Sequence, residues 1–349
     1  MKLVCFLNQS MLHAKNLKIF YAVQATGNGH ISRAVEIYPY LQKYGTVDIF
    51  LSGSNYDLKC ELPIAYKSKG ISLAYNQQNG SIDIKKTINN ISFKQVWREA
   101  KHLPIEKYDL IINDFESITS LACILKGKHS VHFGHQASFA SKLVPRPKNK
   151  NLLGEFVLSN YAKGSSNIGL HFEKYDQFIF QPIIKKSVLH ADPKDEGHFT
   201  VYLSQYSLEI LTKYFHQLSK FKFQLFSGEV SNVYEEANIK FFPVNKELFN
   251  HSLMNCHGMI TSAGFETPAE ALYLGKKLMI VPISGQYEQM CNAAALEKSF
   301  GIKSIKSIDE KFSTQFYDWV SNKIFKKLDL ADNTEKIIEK VFYTGETKI

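Results

Sequence analysis

Residues Thr261 to Leu296, TSAGFETPAEALYLGKKLMIVPISGQYEQMCNAAAL, decide how the rest of the chain is read. They predict a loop of small residues opening a short helix, a buried strand from Leu278 to Ile283, and a polar turn from Gly285 to Gln289 opening a second helix. Backbone N–H groups at a helix start lack partners, and a diphosphate satisfies them. Two readings of Glu270 stay open. Thr267, Pro268 and Glu270, with Gly275 after the last turn, spell a capping box with a glycine stop, which any α/β protein can contain. Alternatively, Glu270 faces a ligand. In favour of the ligand stand Gln286, Glu288, Gln289 and Asn292, which follow the next strand with no hydrophobic reason to be there. In an open parallel sheet both loops lie at strand carboxyl ends and face one crevice.

At 349 residues and 44% hydrophobic, the chain has the make-up of a globular protein and the length of two ordinary domains. The formal net charge is +9, but Lys and Arg are scattered rather than gathered into a stripe. With no nucleic-acid-binding signature beside them, no nucleic-acid partner is expected. Cys5, Cys60, Cys123, Cys256 and Cys291 show no metal-ligand or redox spacing and read as reduced, mostly buried thiols of a cytosolic protein. MKLVCFL begins like a signal peptide, yet its apolar run ends at Asn8, too short for one; Met11 is an alternative start to Met1. No stretch approaches the roughly 20 apolar residues of a membrane span.

Strand and helix patterns alternate, which predicts parallel sheets of βαβ units. Leu17 to Val23 is the first strand, Gln24 to His30 a glycine loop, Ile31 to Tyr44 a helix and Val47 to Leu51 the second strand. Tyr108 to Asn113 leads into Asp114-Phe115-Glu116 and a helix, and Ser130 to Phe133 ends at Gly134-His135-Gln136. His30, Asp114 and His135 are thus expected at the carboxyl ends of strands in one sheet. A second series begins near His198, with strands at Phe199 to Leu203, Lys222 to Phe226, Ile239 to Phe242, Met259 to Thr261 and Leu278 to Pro282. The predicted fold is α/β, two Rossmann-like parallel-sheet domains facing a cleft. Residues 1–16 form an extension, 17–184 the first domain, 185–197 a linker, 198–328 the second domain and 329–349 a helical tail.

The glycine loop is not a dinucleotide fingerprint: it lacks the third glycine, and the second strand ends in Leu51-Ser52-Gly53, without the acid that holds a ribose. No GxxxxGK[ST] loop is present either.

Gly27-Asn28-Gly29-His30, together with Gly264 to Ala271, Gly275-Lys276-Lys277, Pro282 and Gly285-Gln286-Tyr287-Glu288-Gln289…Asn292-Ala293, resembles the GT-B glycosyltransferases. Within them the chain is most similar to bacterial proteins related to the peptidoglycan UDP-N-acetylglucosamine transferase and the UDP-glycosyltransferase superfamily. The similarity covers roughly residues 17 to 305; the stretches Lys67 to His102 and Leu143 to Ser166 lie outside its motifs. The resemblance implies that Glu270 bonds the ribose hydroxyls, that backbone N–H groups at Gly264, Phe265 and Glu266 face the diphosphate beside Thr267, and that Glu288 and Gln289 touch the donor sugar. It further implies that Ser204 and its loop line the diphosphate from the other side and that Val244 meets the base through its backbone. Gln286 and Asn292 join this donor set; Gly27, Asn28, Gly29, His135 and Gln136 form the acceptor side.

The chemistry agrees. Sugar transfer passes through an oxocarbenium-like state while negative charge grows on the leaving diphosphate, and a helix N-terminus stabilises that charge without a metal. No Asp-x-Asp ends a strand, so neither a metal nor a cofactor beyond the nucleotide sugar is expected. An inverting displacement needs one general base, for which His30 is the first choice. Its alternative is an ordinary helix N-terminal residue. Asp114 is read as orienter of His30, as the base itself, or as a helix cap.

The acceptor is expected to be a glycan or a lipid-linked molecule of cell-envelope biosynthesis. Leu143 to Lys150, LVPRPKNK, and the apolar Phe156 to Tyr161 can meet anionic headgroups at the inner face of a membrane, or form a solvated loop and a core helix. Overall the residues read as a cytoplasmic glycosyltransferase using a nucleotide sugar, UDP by the resemblance. A UDP-sugar epimerase or hydrolase on the same fold, which wants further acids in the cleft, and a non-catalytic nucleotide-sugar or polyanion binder are the alternatives.

Overall fold

Long apolar runs become strands buried on both faces, as parallel sheets require. The computed structural model describes residues 16–25, 27–53, 62–70, 92–322 and 326–346. The first sheet is built from β1 (Leu17–Gln24), β2 (Gly45–Ser52), β3 (Ile64–Ser68), β4 (Leu110–Asp114), β5 (Val131–Gly134), β6 (Ser166–Leu170) and β7 (Ile179–Phe180), in the order β3-β2-β1-β4-β5-β6-β7. All its pairings are parallel. β4 is buried at every position, whereas β3, at the edge, alternates between exposed and half-buried residues. The second sheet contains β8 (His198–Tyr202), β9 (Lys222–Ser227), β10 (Tyr234–Glu236), β11 (Ile239–Pro243), β12 (Gly258–Thr261) and β13 (Lys277–Ile280), in the order β10-β11-β9-β8-β12-β13. Only β10, paired with β11, runs antiparallel.

Each sheet reverses its winding beside its first strand, between β1 and β4 and between β8 and β12. Such points leave a crevice at the carboxyl ends. His30 stands in the first turn of the helix after β1 and Asp114 at the end of β4; the loop after β12 opens the helix Glu266–Tyr273. Interdomain packing closes the two crevices on each other: Phe172 of the first half lies 5.1 Å from Phe265 of the second, ring centre to ring centre.

The tail returns to the first sheet. Helix Thr334–Glu346 lies against β4, β5 and β6, with Ile337, Ile338, Val341 and Phe342 buried and Phe342 stacked on Tyr44 at 3.8 Å. Burial of such side chains is worth about 1.5–3 kcal/mol each, while the exposed Lys43–Glu335 pair beside them adds about 1 kcal/mol or less. Apolar contact therefore holds the tail.

Two local expectations change. The helix after β12 begins at Glu266, one residue before Thr267, and no side chain caps it, so the Thr267–Glu270 capping box is not formed. The helix Leu152–Asn160 is not a core helix: Leu158 alone of its residues is buried. Residues 1–15 and 71–91, which include the alternative start at Met11 and part of the Lys67–His102 stretch, lie outside the described residues, as do Cys5 and Cys60.

Candidate active site

The first-domain half of the site starts at Gly27, whose φ of 130° is a conformation side chains avoid. It turns the chain from β1 into the helix Asn28–Leu41. His30 in the first turn points its Nδ1 at Asp114 Oδ1, 2.8 Å away. Asp114 ends β4 and is fully buried. It does not cap the following helix; Glu116 does, accepting from the backbone N–H groups of Ile118 at 2.9 Å and Thr119 at 2.6 Å. Between the two acids Phe115 adopts φ 56°, rare for a bulky residue, and this reversal separates Asp114, held by His30 and Arg33, from Glu116, which caps the helix.

Burial alone raises a carboxyl, but Arg33 and then His30 outweigh it and hold Asp114 well below the usual carboxylate range. Asp114 is therefore an anion that accepts from His30 Nδ1–H. The other face of the imidazole is fixed by Gln136, whose Nε2 donates to Glu288 Oε2 at 3.0 Å and lies 3.4 Å from His30 Nε2. Arg33 Nη2, also a donor, lies 3.0 Å from His30 Nδ1, so it is the shorter contact of Nδ1 with the Asp114 carboxylate, at 2.8 Å, that favours the Nδ1–H tautomer.

The second-domain half faces it. Glu266 accepts from Arg33 of the first domain. Glu270 is 2% exposed and accepts from Lys185 Nζ at 3.1 Å. Burial pushes its carboxyl up and Lys185 opposes the rise. Between the halves lies an open cleft lined by Asn28, Gly29, Tyr202, Val244, Glu266 and Thr267 among others; His30, Asp114 and Glu270 are not among its lining residues. No atom lies within 4 Å of where a Cβ on Gly264 would stand, so the backbone there faces open space.

A model of the family described as glycosyl transferase family 1 matches residues 17–320. The chain belongs to that family. No curated protein matches it. Among solved structures, LpCGTa in complex with UDP shares 13% identity and a TM-score of 0.56, with 94% of each chain covered. Phytolacca americana UGT2, complexed with UDP-2fluoro-glucose and pterostilbene, gives 13% and 0.53, covering 95% of this chain and 93% of that one. The glycosyltransferase SnogD from Streptomyces nogalater gives 12% and 0.51, covering 95% and 96%. At these identities the likeness establishes the GT-B fold, two parallel-sheet domains around a cleft.

Within this glycosyltransferase the remaining expected residues divide. Gln136 and Glu288 join His30 in one chain of contacts, as above. His135 is buried, stacked on Phe265 at 4.0 Å, and its Nε2 lies 2.7 Å from Asn292 Oδ1, so it packs the domain junction. Burial lowers its imidazole below the ordinary value. Asn292 Nδ2 donates to Ala263 O at 3.0 Å, and Gln289 Oε1 accepts from the N–H groups of Ala263 and Ile283 at 3.2 and 2.9 Å. Both thus brace the loop after β12 rather than project into the cleft. Ser204 is exposed and is not among the cleft-lining residues; Ser207, nearby, caps the helix Leu208–Phe215. Gln286 precedes the helix Tyr287–Phe300, and its Oε1 is buried without a partner.

Arg33, Lys185 and Tyr202 escaped the sequence reading. Arg33 sits three residues after His30, hence on the same helix face, which is the signal that could have found it. Lys185 lay in a stretch read as linker, and Tyr202, which accepts from Asn28 Nδ2 at 3.1 Å, at a strand end.

Proposed function

We propose that the chain moves a sugar from a UDP-sugar to an acceptor hydroxyl with inversion. The observation that carries this is the buried, ionised Asp114 2.8 Å from His30 Nδ1, an arrangement that leaves His30 Nε2 to take the acceptor proton. In the reaction the acceptor O–H breaks and its proton passes to His30 Nε2. The freed oxygen pair bonds the anomeric carbon, and the bond from that carbon to the diphosphate oxygen breaks with its electrons leaving on UDP. Asp114 acts as orienter and stabilises the imidazolium; its low basicity argues against its being the base. Glu270 takes the ribose, backbone N–H groups from Gly264 to Glu266 take the diphosphate without a metal, and Val244 borders the base. A second reading, an epimerase or hydrolase, asks for acids free to titrate in the cleft, whereas Asp114, Glu266 and Glu270 each face a cation.

The acceptor side favours a lipid-linked acceptor of envelope or glycan biosynthesis. Leu143, Leu152, Leu153, Phe156 and Val157 are exposed on one loop and helix, with Lys142, Lys148, Lys150 and Lys163 exposed around them. Of the carboxylates beside it, Glu155 is occupied by Arg146 and Tyr287, and Asp176 accepts from Ser141 Oγ at 2.7 Å. An apolar face ringed by lysines suits an anionic membrane surface met from the cytoplasmic side. No helix among the described residues is long and apolar enough to cross a membrane.

Purified protein is incubated with a panel of UDP-sugars and envelope acceptors, and UDP release and product anomer are measured. Release from one UDP-sugar, with an inverted product and no loss of rate in chelator, is expected. A retained anomeric configuration, or a rate abolished by chelator and restored by manganese, sinks the mechanism.

A further inference from the structure

Arg33 links the two halves of the site. Its side chain is 3% exposed. Nε donates to Asp114 Oδ2 at 3.0 Å, Nη2 to Oδ1 at 2.7 Å and Oδ2 at 2.9 Å, and Nη1 to Glu266 at the start of the helix Glu266–Tyr273. One planar cation thus clamps the carboxylate behind His30 with two nitrogens and holds the second domain's loop with the third. We propose that Arg33 is a positioning residue for the transfer, one that orients Asp114 beneath His30 and ties this pair to the donor-side loop through Glu266.

The surroundings are shaped for this clamp. Gly134, at the end of the adjacent strand, has φ 110°, and a Cβ there would stand 3.0 Å from both Arg33 Nη2 and Asp114 Oδ1. Tyr21 Oη, from β1, donates to Asp114 Oδ2 at 3.3 Å. His30 Nδ1, Arg33 and Tyr21 therefore converge on one carboxylate, leaving it no freedom to rotate. The titratable and charged groups around it are Tyr21 from β1, His30 and Arg33 from the helix after it, His132 from β5, and Glu266 from the second domain. Arg33 and His30 are its cations, and Arg33 is the larger influence keeping it ionised. A lysine supplies the charge but not the fork, because an ammonium cannot meet both oxygens and Glu266 in one plane.

A passive structural ion pair and a positioning residue predict different results. Arg33→Met and Arg33→Lys are made in the full chain. The first readout needs no substrate: NMR of the Asp114 carboxyl carbon in aspartate-labelled protein. In the unaltered chain this carbon is expected to stay that of a carboxylate well below the usual aspartate range. In Arg33→Met, burial acts with only His30 and the Tyr21 hydroxyl opposing it, and the carboxyl titrates at least about one pH unit higher. The second readout is UDP release from whichever UDP-sugar the chain turns over. Arg33→Met lowers kcat about a hundredfold and leaves the donor KM within about threefold. Arg33→Lys loses about tenfold in kcat with Asp114 titration in place.

A folded Arg33→Met protein whose Asp114 titrates no higher overturns the proposal, and so does Arg33→Lys at full kcat. Where Arg33→Met does not fold, Arg33→Lys and Glu266→Gln carry the test. Glu266→Gln, which frees one arm of the clamp, is expected to lower kcat about fivefold with Asp114 titration unmoved, and an unchanged kcat overturns the tie to the second domain. The kinetic consequences rest on the transferase reading. A chain that releases UDP from no UDP-sugar defeats that reading and leaves the NMR test standing.

Discussion

Lys185 Nζ lies 3.1 Å from Glu270 Oε2, so the acid assigned to the ribose is held by a cation from the segment joining the two sheets. Glu270 is buried and its carboxyl is pushed up, with Lys185 the main force keeping it charged. A protonated Glu270 accepts ribose hydroxyls poorly. Lys185→Met is therefore expected to weaken UDP binding about tenfold at neutral pH and to make the loss steeper as pH falls. Glu270→Ala is expected to cost about ten- to hundredfold. Calorimetric titration with UDP checks both; undiminished affinity in Glu270→Ala removes the ribose assignment.

The base and its orienter are expected to separate in kinetics. His30→Ala removes the proton acceptor, so kcat falls about 10²–10⁴-fold while UDP affinity holds. Asp114→Asn preserves the shape of the side chain but presents a donor to His30 or to Arg33, favouring the wrong tautomer, and is expected to cost about as much. It also leaves Arg33 with less counter-charge in a buried setting, which costs about 3–5 kcal/mol of stability. Full turnover in His30→Ala transfers the base role elsewhere.

Acid sensitivity is expected from His132, buried on β5 with its Nε2 unpartnered. Burial pushes its imidazole down to about 4, whereas in the unfolded chain it titrates near 6.5. Below about pH 6.5 the unfolded chain takes up a proton that the folded chain declines. Its contribution is thus fully present above that pH and is lost as pH falls toward 4, at no more than about 1.4 kcal/mol per pH unit. His135, His171 and His198, all lowered by burial, act in the same direction. Urea unfolding at a series of pH values should show a shallower slope for His132→Gln; an identical slope contradicts the buried neutral form.

The exposed helix Leu152–Asn160 gives a test for membrane contact. The protein should sediment with phosphatidylglycerol-containing vesicles and not with phosphatidylcholine alone. Leu152→Ser combined with Phe156→Ser should reduce this about tenfold or more with UDP affinity unchanged. Equal sedimentation of the double variant would exclude this face.

The positions of the central strands and the placement of His30, Asp114 and Glu270 at carboxyl ends were legible because central parallel strands are written as unbroken apolar runs with polar residues just after them. What was not legible depended on pairing across the cleft. Nothing in the residues around Arg33 announces that Asp114 and Glu266 will meet it, since those partners are 81 and 233 positions away. Glu116 replaced Asp114 as the cap because Phe115 takes a left-handed turn that its type does not advertise. The apolar residues of Leu152–Asn160 looked like core because composition alone does not say which way a short helix faces. Gln289 and Asn292 have the polarity of ligand contacts, but a loop of small residues needs side chains to brace its backbone, and that need claimed them.

The helix Thr334–Glu346 completes the core of a sheet that began more than 300 residues earlier at Leu17. On the ribosome the first sheet therefore emerges with its Leu110, Val131 and Tyr44 surface uncovered, and stays so until the whole second domain has been synthesised. Folding of the half that holds the proposed base is finished last, by residues that line no part of the cleft. A nascent chain arrested before Thr334 is expected to expose a sticky apolar flank and to depend on chaperones, although every residue of the cleft is already present.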